Sequence, residues 1–229
     1  MDYTTLLFDA DRTLFDFPTA ERTALAFVAQ ACGLEYTDYI YETYAAINQT
    51  CWNAYERNEL TQEELKTERF RQFLTKTNCH TELSPEQLCT IYAQQLSKQG
   101  QIYTGVDTLL QKLQSEGYVL ALVTNGIATT QHGRLEASGL GPFFRKIFIS
   151  EEMGIQKPSP AFFSHVLSEL AVSKKQCLII GDSLSSDIKG GNLSGIDTAW
   201  YNPTHLPLSE IATPTYTIDK LDQLCAILA

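Results

Sequence analysis

The sequence predicts an α/β protein, a doubly wound parallel sheet whose first strand is followed at once by an all-helical insertion. Three patterns point there. Short runs such as Val119-Leu120-Ala121-Leu122-Val123 and Cys177-Leu178-Ile179-Ile180 are apolar at every position, as strands buried on both faces are. Beyond Gly100 such runs alternate with segments of helical spacing, the pattern of a parallel sheet covered on both sides. Between Pro18 and Ser97, by contrast, no convincing strand interrupts a series of helical segments.

The elements follow in order. Residues 4–8 form a short apolar strand. Residues 20–32 read as a helix stopped at Gly33. Residues 37–55 carry Ile40, Tyr44, Ile47 and Cys51 at helical spacing. Thr61-Gln62-Glu63-Glu64 is a capping-box pattern opening a third helix towards Phe73, and Ser84-Pro85-Glu86-Gln87 repeats the signal with proline at the first helical position. Then come a helix over 106–113 ended by Gly117, a strand over 119–123, a helix over 130–137 and a strand over 146–149. A helix over 161–170, a strand over 177–180, a helix over 186–193 and a strand over 198–201 complete the pattern. The expected division is a core of 1–14 and 101–229 with a helical domain of 15–100 inserted in it.

At 229 residues, 44% hydrophobic and 19% charged, the chain has an ordinary globular composition and needs no disulfide staples. Its formal charge of −10 argues against a nucleic-acid polymer or an anionic membrane as partner. An anionic small substrate then requires a local positive feature. Six cysteines without CxxC spacing read as reduced, mostly buried small hydrophobes. There is no basic, then apolar leader pattern and no run near the roughly 20 apolar residues of a spanning helix, so a cytoplasmic protein is expected.

Phe8-Asp9-Ala10-Asp11-Arg12-Thr13-Leu14 crowds carboxylates at the end of the first strand. In a doubly wound sheet, ligands bind beyond the carboxyl ends of the strands. Two other strands end in polar residues that can meet there: Thr124-Asn125-Gly126, and Gly181-Asp182-Ser183 with Asp187 following. Lys157 precedes a helix for which Ser159 is the expected cap. Together these groups suit phosphoryl transfer. Asp9 and Asp182 offer oxygen to Mg²⁺, and the ion and Lys157 supply positive charge. Asp9 can attack phosphorus. Asp11, placed on the same side by strand alternation, can protonate the leaving oxygen and then activate water. The Thr124 hydroxyl and the Asn125 N–H can hold phosphate oxygens.

In order and spacing, FDADRTL, LVTNG, GIQKPSPAFF and IIGDSLSSD resemble the four motifs of the haloacid dehalogenase-like (HAD) hydrolase superfamily, and the helical insertion resembles its C1-type cap. The resemblance covers essentially the whole chain. It implies a Rossmann-like core, Asp9 as nucleophile, Asp11 as acid/base, and Thr124 and Lys157 as phosphate ligands. It also implies Mg²⁺ on Asp9, the Asp11 carbonyl and Asp182, with Asp187 a water-mediated ligand or a partner of Lys157. Dehalogenases of the superfamily lack an acidic residue two places after the nucleophile, so Asp11 implies a phosphatase. Arg12 departs from the usual residue there; alternation points it away from Asp9, towards solvent or the cap. Asp16 is expected to cap the next helix.

Specificity falls to the cap. Asn48, Trp52 and Tyr55 at i, i+4 and i+7 share one helical face, where rings can stack on a base and an amide can bond its edge; the alternative is that both rings pack the cap's own core. DADRTLFDF, INQTCWNAYERNELTQEELKTERF, TNGIATTQHGRLEASGL and ISEEMGIQKP are similar to the pyrimidine 5′-nucleotidase branch, which implies nucleoside monophosphates as substrates. Phe17 and Arg69 are further pocket candidates. A phosphatase of phosphoglycolate or sugar phosphates, or a HAD-fold binding or regulatory protein, remains an alternative. Chain crossings near 14–17 and 99–104, the second with Gly100 and Gly105, are expected to absorb a closing rotation.

Overall fold

The computed structural model describes residues 3–228. β1 (Thr5–Phe8) is followed directly by four helices, α1 (Phe17–Ala31), α2 (Asp38–Glu56), α3 (Gln62–Lys76) and α4 (Pro85–Leu96). The chain then alternates through α5 (Val106–Ser115), β2 (Val119–Thr124), α6 (Ala128–Ser138), β3 (Lys146–Ile149), α7 (Ser150–Met153) and α8 (Pro160–Leu170). It ends with β4 (Cys177–Gly181), α9 (Lys189–Ser194), β5 (Asp197–Tyr201), β6 (Tyr216–Ile218) and α10 (Leu224–Leu228). The strands form one sheet in the order β3-β2-β1-β4-β5-β6, with every neighbouring pair parallel. The α/β class expected from the sequence holds.

Alternation explains the wholly apolar strands. Leu6 and Phe8 join Leu120, Leu122, Leu178 and Ile180 in a layer closed by Val106, Leu110 and Leu113 of α5. Leu7, Ala121, Val123 and Ile179 point the other way, onto Phe162, Phe163 and Val166 of α8. Neither face meets water, so neither can be polar. The register then places the site: Phe8 pairs with Leu122 on one side and Ile180 on the other. Asp9 stands one residue beyond this row, and Thr124 and Asp182 two beyond it, so the three lie within one residue of each other at the carboxyl edge of the sheet.

The four inserted helices pack a separate core, in which Ala24, Leu25, Val28, Ile40, Tyr44, Phe70, Phe73, Leu88 and Tyr92 are buried together. Each starts at a side-chain cap. Asp16 accepts from the Thr19 N–H at 3.2 Å, Thr37 caps α2, and the capping boxes Thr61/Glu64 and Ser84/Gln87 form in both directions. The two crossings between sheet and insertion are bonded to each other, Asp16 N–H to the Gln101 carbonyl at 3.1 Å and Tyr103 N–H to the Leu14 carbonyl at 3.0 Å.

Two features depart from the sequence reading. The segment expected as one helix over 186–193 begins instead with a wide turn at Leu184–Ile188, bonded i to i+5, before α9; such turns recur at functional sites. α7, of four residues, is additional, and so are β6 and α10. At three to five residues, all are too short for a period to show in the sequence. Among the described residues, no helix is long and apolar enough to cross a membrane.

Candidate active site

Asp9 follows β1, and its N–H still donates to the Ile180 carbonyl at 2.9 Å, so the sheet fixes its backbone. Its buried carboxylate accepts from Lys157 Nζ at 2.7 Å on Oδ1 and from Thr13 Oγ1 at 3.3 Å on Oδ2. Lys157, on the loop before α8, is also buried. Its Nζ donates further to Asp187 Oδ1 at 2.6 Å and to the Val123 carbonyl at 2.8 Å, which satisfies all three ammonium protons. Asn125 ties this loop to the end of β2, its amide exchanging bonds of 2.9 and 2.8 Å with the Lys157 backbone. The Asn125 side chain is therefore a tether, which leaves its backbone N–H as the group expected to meet a ligand. Thr124 Oγ1 accepts the Gly126 N–H at 3.1 Å and keeps its own proton to donate.

Asp187 sits on the wide turn after β4, wholly buried, with Oδ2 accepting the Ser183 N–H at 3.2 Å. Of its two expected roles, it takes that of partner to Lys157. Gly181 makes room for it: a Cβ there would lie 2.2 Å from Asp187 Oδ2, so no larger residue fits. Asp182, half-buried, completes the group.

Asp9, Asp182 and Asp187 each offer an oxygen, and these atoms lie within 4.8 Å of one another. Lys157 is the ammonium that faces them. Burial pushes the Asp9 pKa up to about 7, with Lys157 opposing and Asp187 adding to the rise. Burial, then the charges of Asp9 and Asp187, hold Asp182 well above the usual carboxylate range. For Lys157, burial disfavours the charged form, yet Asp187 and Asp9 outweigh it and raise its pKa. The lysine stays charged among an excess of negative groups. An all-oxygen donor set with surplus negative charge fits a hard divalent cation such as Mg²⁺.

Asp11 reaches the same pocket by a different route from the one expected. β1 ends at Phe8, so strand alternation no longer applies. The chain turns instead, with Leu14 and Phe15 N–H groups both donating to the Ala10 carbonyl at 2.9 Å, and Arg12 left-handed at φ 67°. The Asp11 carboxylate is engaged on both oxygens, by the Arg134 guanidinium on Oδ1 and by Gln131 Nε2 at 2.6 Å on Oδ2. Both donors come from α6, and sequence reasoning overlooks them. Their only signal is a polar pair at i and i+3 beside Leu135 on the buried stripe of that helix. Arg12 is exposed and faces the insertion, its guanidinium 5.7 Å from the Phe17 ring, but it also lines the pocket rim.

Asp9, Asp11, Thr124, Asn125, Lys157, Asp182 and Asp187 surround one pocket of about 340 Å³, roofed by Phe17, Asn48 and Trp52 of the insertion. Asn48 is nearly saturated: Oδ1 accepts from Arg69 Nη1 at 3.1 Å and Nδ2 donates to Glu21 Oε1 at 2.8 Å, which leaves one amide N–H. Glu21 was not indicated by the sequence reading, although an acid on the apolar stripe of α1 beside Ala24, Leu25 and Val28 is a usable signal. Glu56 also lines the pocket and accepts from Ser185 Oγ of the core at 2.6 Å. Two candidates lie elsewhere. Tyr55, one turn beyond Trp52 and edge-on to it at 5.7 Å, borders the neighbouring cleft with Ser150 and Gln156. Helical spacing gives the direction of a side chain, not its height along the axis. Arg69 is buried over the Phe70 and Tyr92 rings, at 5.3 and 4.9 Å, and borders a smaller cavity beside Trp52 and Phe17.

The sequence profile of the haloacid dehalogenase-like hydrolases matches residues 6–201. The Bacillus subtilis protein YfnB is 40% identical over 99% of this chain and 95% of its own length. Its crystal structure, described as bound to magnesium and as revealing interdomain movement, matches with a TM-score of 0.93 over 100% of this chain and 99% of that one. Pyrimidine 5′-nucleotidase PynA of Streptococcus pneumoniae is 39% identical over 98% of this chain and 94% of its own. Pyrimidine 5′-nucleotidase YjjG of Escherichia coli is 29% identical over 100% and 99%. A profile match across most of the chain, together with relatives alike from end to end, establishes that this chain belongs to the haloacid dehalogenase-like hydrolases.

Proposed function

We propose that the protein is a magnesium-dependent phosphomonoester hydrolase that acts through an aspartyl-phosphate on Asp9 and takes pyrimidine nucleoside 5′-monophosphates as its preferred substrates. One observation carries the chemistry: a buried carboxylate, Asp9, and a half-buried one, Asp11, line one pocket together with a buried lysine and surplus negative charge. Asp9 attacks phosphorus, and the bond from phosphorus to the ester oxygen breaks. Asp11 gives that oxygen its proton. Water then attacks the phosphorus of the aspartyl-phosphate, Asp11 takes the water's proton, and phosphate leaves with Asp9 restored. The Thr124 hydroxyl binds one phosphoryl oxygen, and Lys157 binds another by giving up its bond to the attacking Asp9. Asp9, Asp182 and the Asp11 carbonyl would hold the ion, with Asp187 supporting the site through its bond to Lys157; when bound, the ion supplies positive charge to the phosphoryl group.

Residues 15–100 act as the cap, and Phe17, Trp52 and the free Asn48 N–H face the part of the substrate beyond the phosphate. The pyrimidine preference rests on PynA and YjjG, both named pyrimidine 5′-nucleotidases, and on an aromatic roof suited to a flat base. A reducing, cytoplasmic setting suits six cysteines that form no disulfide. The test is a panel of phosphate esters assayed with and without Mg²⁺. Turnover should require the ion, and kcat/KM should be highest for uridine, cytidine or thymidine 5′-monophosphate. A higher value for phosphoglycolate or a sugar phosphate would overturn the substrate assignment. No turnover of any ester would overturn the enzyme assignment.

A further inference from the structure

Arg134 is wholly buried, and its contacts do not resemble those of a residue serving its own helix. Its Nη1 reaches Asp11, its Nε donates to the Gln99 carbonyl at 3.1 Å, and its guanidinium lies 4.5 Å from the Phe15 ring and 5.6 Å from the Phe17 ring. Phe15 and Phe17 belong to the first crossing between sheet and insertion, and Gln99 to the second. One side chain thus touches both crossings and the carboxylate that faces the substrate. Stability alone does not account for this, because the buried Nη2 has no acceptor among the described residues and an unsatisfied buried donor costs free energy.

The surroundings are shaped to this contact. A Cβ on Gly100 would lie 2.5 Å from the Ala137 backbone, so the missing side chain lets the second crossing rest directly on α6. A Cβ on Gly126 would lie 2.2 Å from Gln131 Nε2, the atom that holds the other oxygen of Asp11. Two glycines clear space on either side of one clamp.

We propose that Arg134 and Gln131 are positioning residues that aim the Asp11 carboxylate at the leaving oxygen, and that Arg134 anchors this aim to the two crossings on which the insertion turns. The proposal rests on the acid/base reading of Asp11. Phe15, Phe17 and Gln99 move with the crossings, so a change in their path shifts the guanidinium, and Asp11 with it.

The experiment compares kcat/KM, which reports loss of the leaving group and not the later hydrolysis, for uridine 5′-monophosphate, whose alkoxide needs a proton, and for p-nitrophenyl phosphate, whose phenolate does not. Gln131→Ala and Arg134→Lys should each lower the ratio of the two by roughly tenfold or more, since misplacement by about 1 Å can cost 10²-fold. KM for both substrates should stay within about twofold. In an Asp11→Asn background neither substitution should change the ratio further, because both act through Asp11. An unchanged ratio in Gln131→Ala, an equal loss on both substrates, or a further full loss in the Asp11→Asn background would overturn the proposal. If Asp11→Asn itself leaves the ratio unchanged, the acid/base reading fails first and the clamp falls with it.

Discussion

The sheet edge and the helical insertion both bury charged side chains, and they balance them differently. At the sheet edge Asp9, Asp182 and Asp187 face Lys157, and Asp9 and Asp182 are held above the usual carboxylate range. In the insertion Glu21 and Arg69 are joined through Asn48, one acid to one base, with Tyr41 Oη adding a bond to Glu21 at 3.3 Å. Burial raises the Glu21 pKa there too, opposed by Arg12, by Asn48 and Tyr41, and by Arg69. Glu21, Asn48 and Arg69 are bonded in series and brace three helices. The charges of the sheet edge remain open to an ion and a substrate. Surplus buried negative charge sets the sheet edge apart from the paired charges of the insertion.

The largest effect that sharpens this contrast is expected at Asp9. Asp9→Asn should lower kcat on the order of 10⁴–10⁶-fold, the scale of losing a nucleophile, while the melting temperature does not fall, because one of the crowded charges has gone. Wild-type-like turnover in folded Asp9→Asn protein would break the comparison. Glu21→Ala should do the reverse. Stripped of their acceptor, Asn48 and Tyr41 are left unsatisfied beside a buried arginine, at a cost of roughly 3 kcal/mol by thermal unfolding. Turnover of p-nitrophenyl phosphate should change less than about threefold.

Trp52 comes next, since it faces the pocket from the insertion. If it stacks on a base, Trp52→Ala should raise KM for uridine 5′-monophosphate by roughly 5- to 150-fold, the equivalent of 1–3 kcal/mol. KM for p-nitrophenyl phosphate should barely move, and Tyr55→Ala should affect neither. Equal damage to both substrates with a lowered melting temperature would return Trp52 to the packing of the insertion.

The smallest effect is a difference in melting temperature. The Asp9 pKa rises from 3.8 to about 7 on folding, so between those values the folded chain binds more protons than the unfolded one. Stability of the ion-free protein therefore falls as pH rises through that window. A bound cation should reverse this, so Mg²⁺ should raise the melting temperature more at pH 8 than at pH 5. Each kcal/mol of difference is worth about 2–4 °C for a chain of this size. Equal gains at the two pH values would place the ion elsewhere.

How far the sequence revealed the two regions follows from the same contrast. Asp9, Thr124, Lys157 and Asp182 stand at the ends of continuous apolar runs, or just before a capped helix, where a polar residue has no packing role to explain it. Alternation along β1 sends Asp11 towards the Asp9 side, but β1 ends at Phe8 and a turn, not alternation, directs the side chain into the pocket. The clamp on Asp11 was not legible, because Arg134 and Gln131 lie 123 and 120 residues away along the chain. In the insertion, periodicity identified the faces of α2 but not that Tyr55 lies beyond the pocket, nor that Asn48 is tied to Glu21 and Arg69.

The central claim is that Asp9 becomes phosphorylated, and chemical trapping tests it most directly. The protein would be quenched with borohydride during turnover of uridine 5′-monophosphate in Mg²⁺, and its peptides mapped by mass. The account predicts reduction of Asp9 to homoserine that depends on both substrate and ion. Full turnover with Asp9 unreduced, or reduction at a different carboxylate, would contradict it.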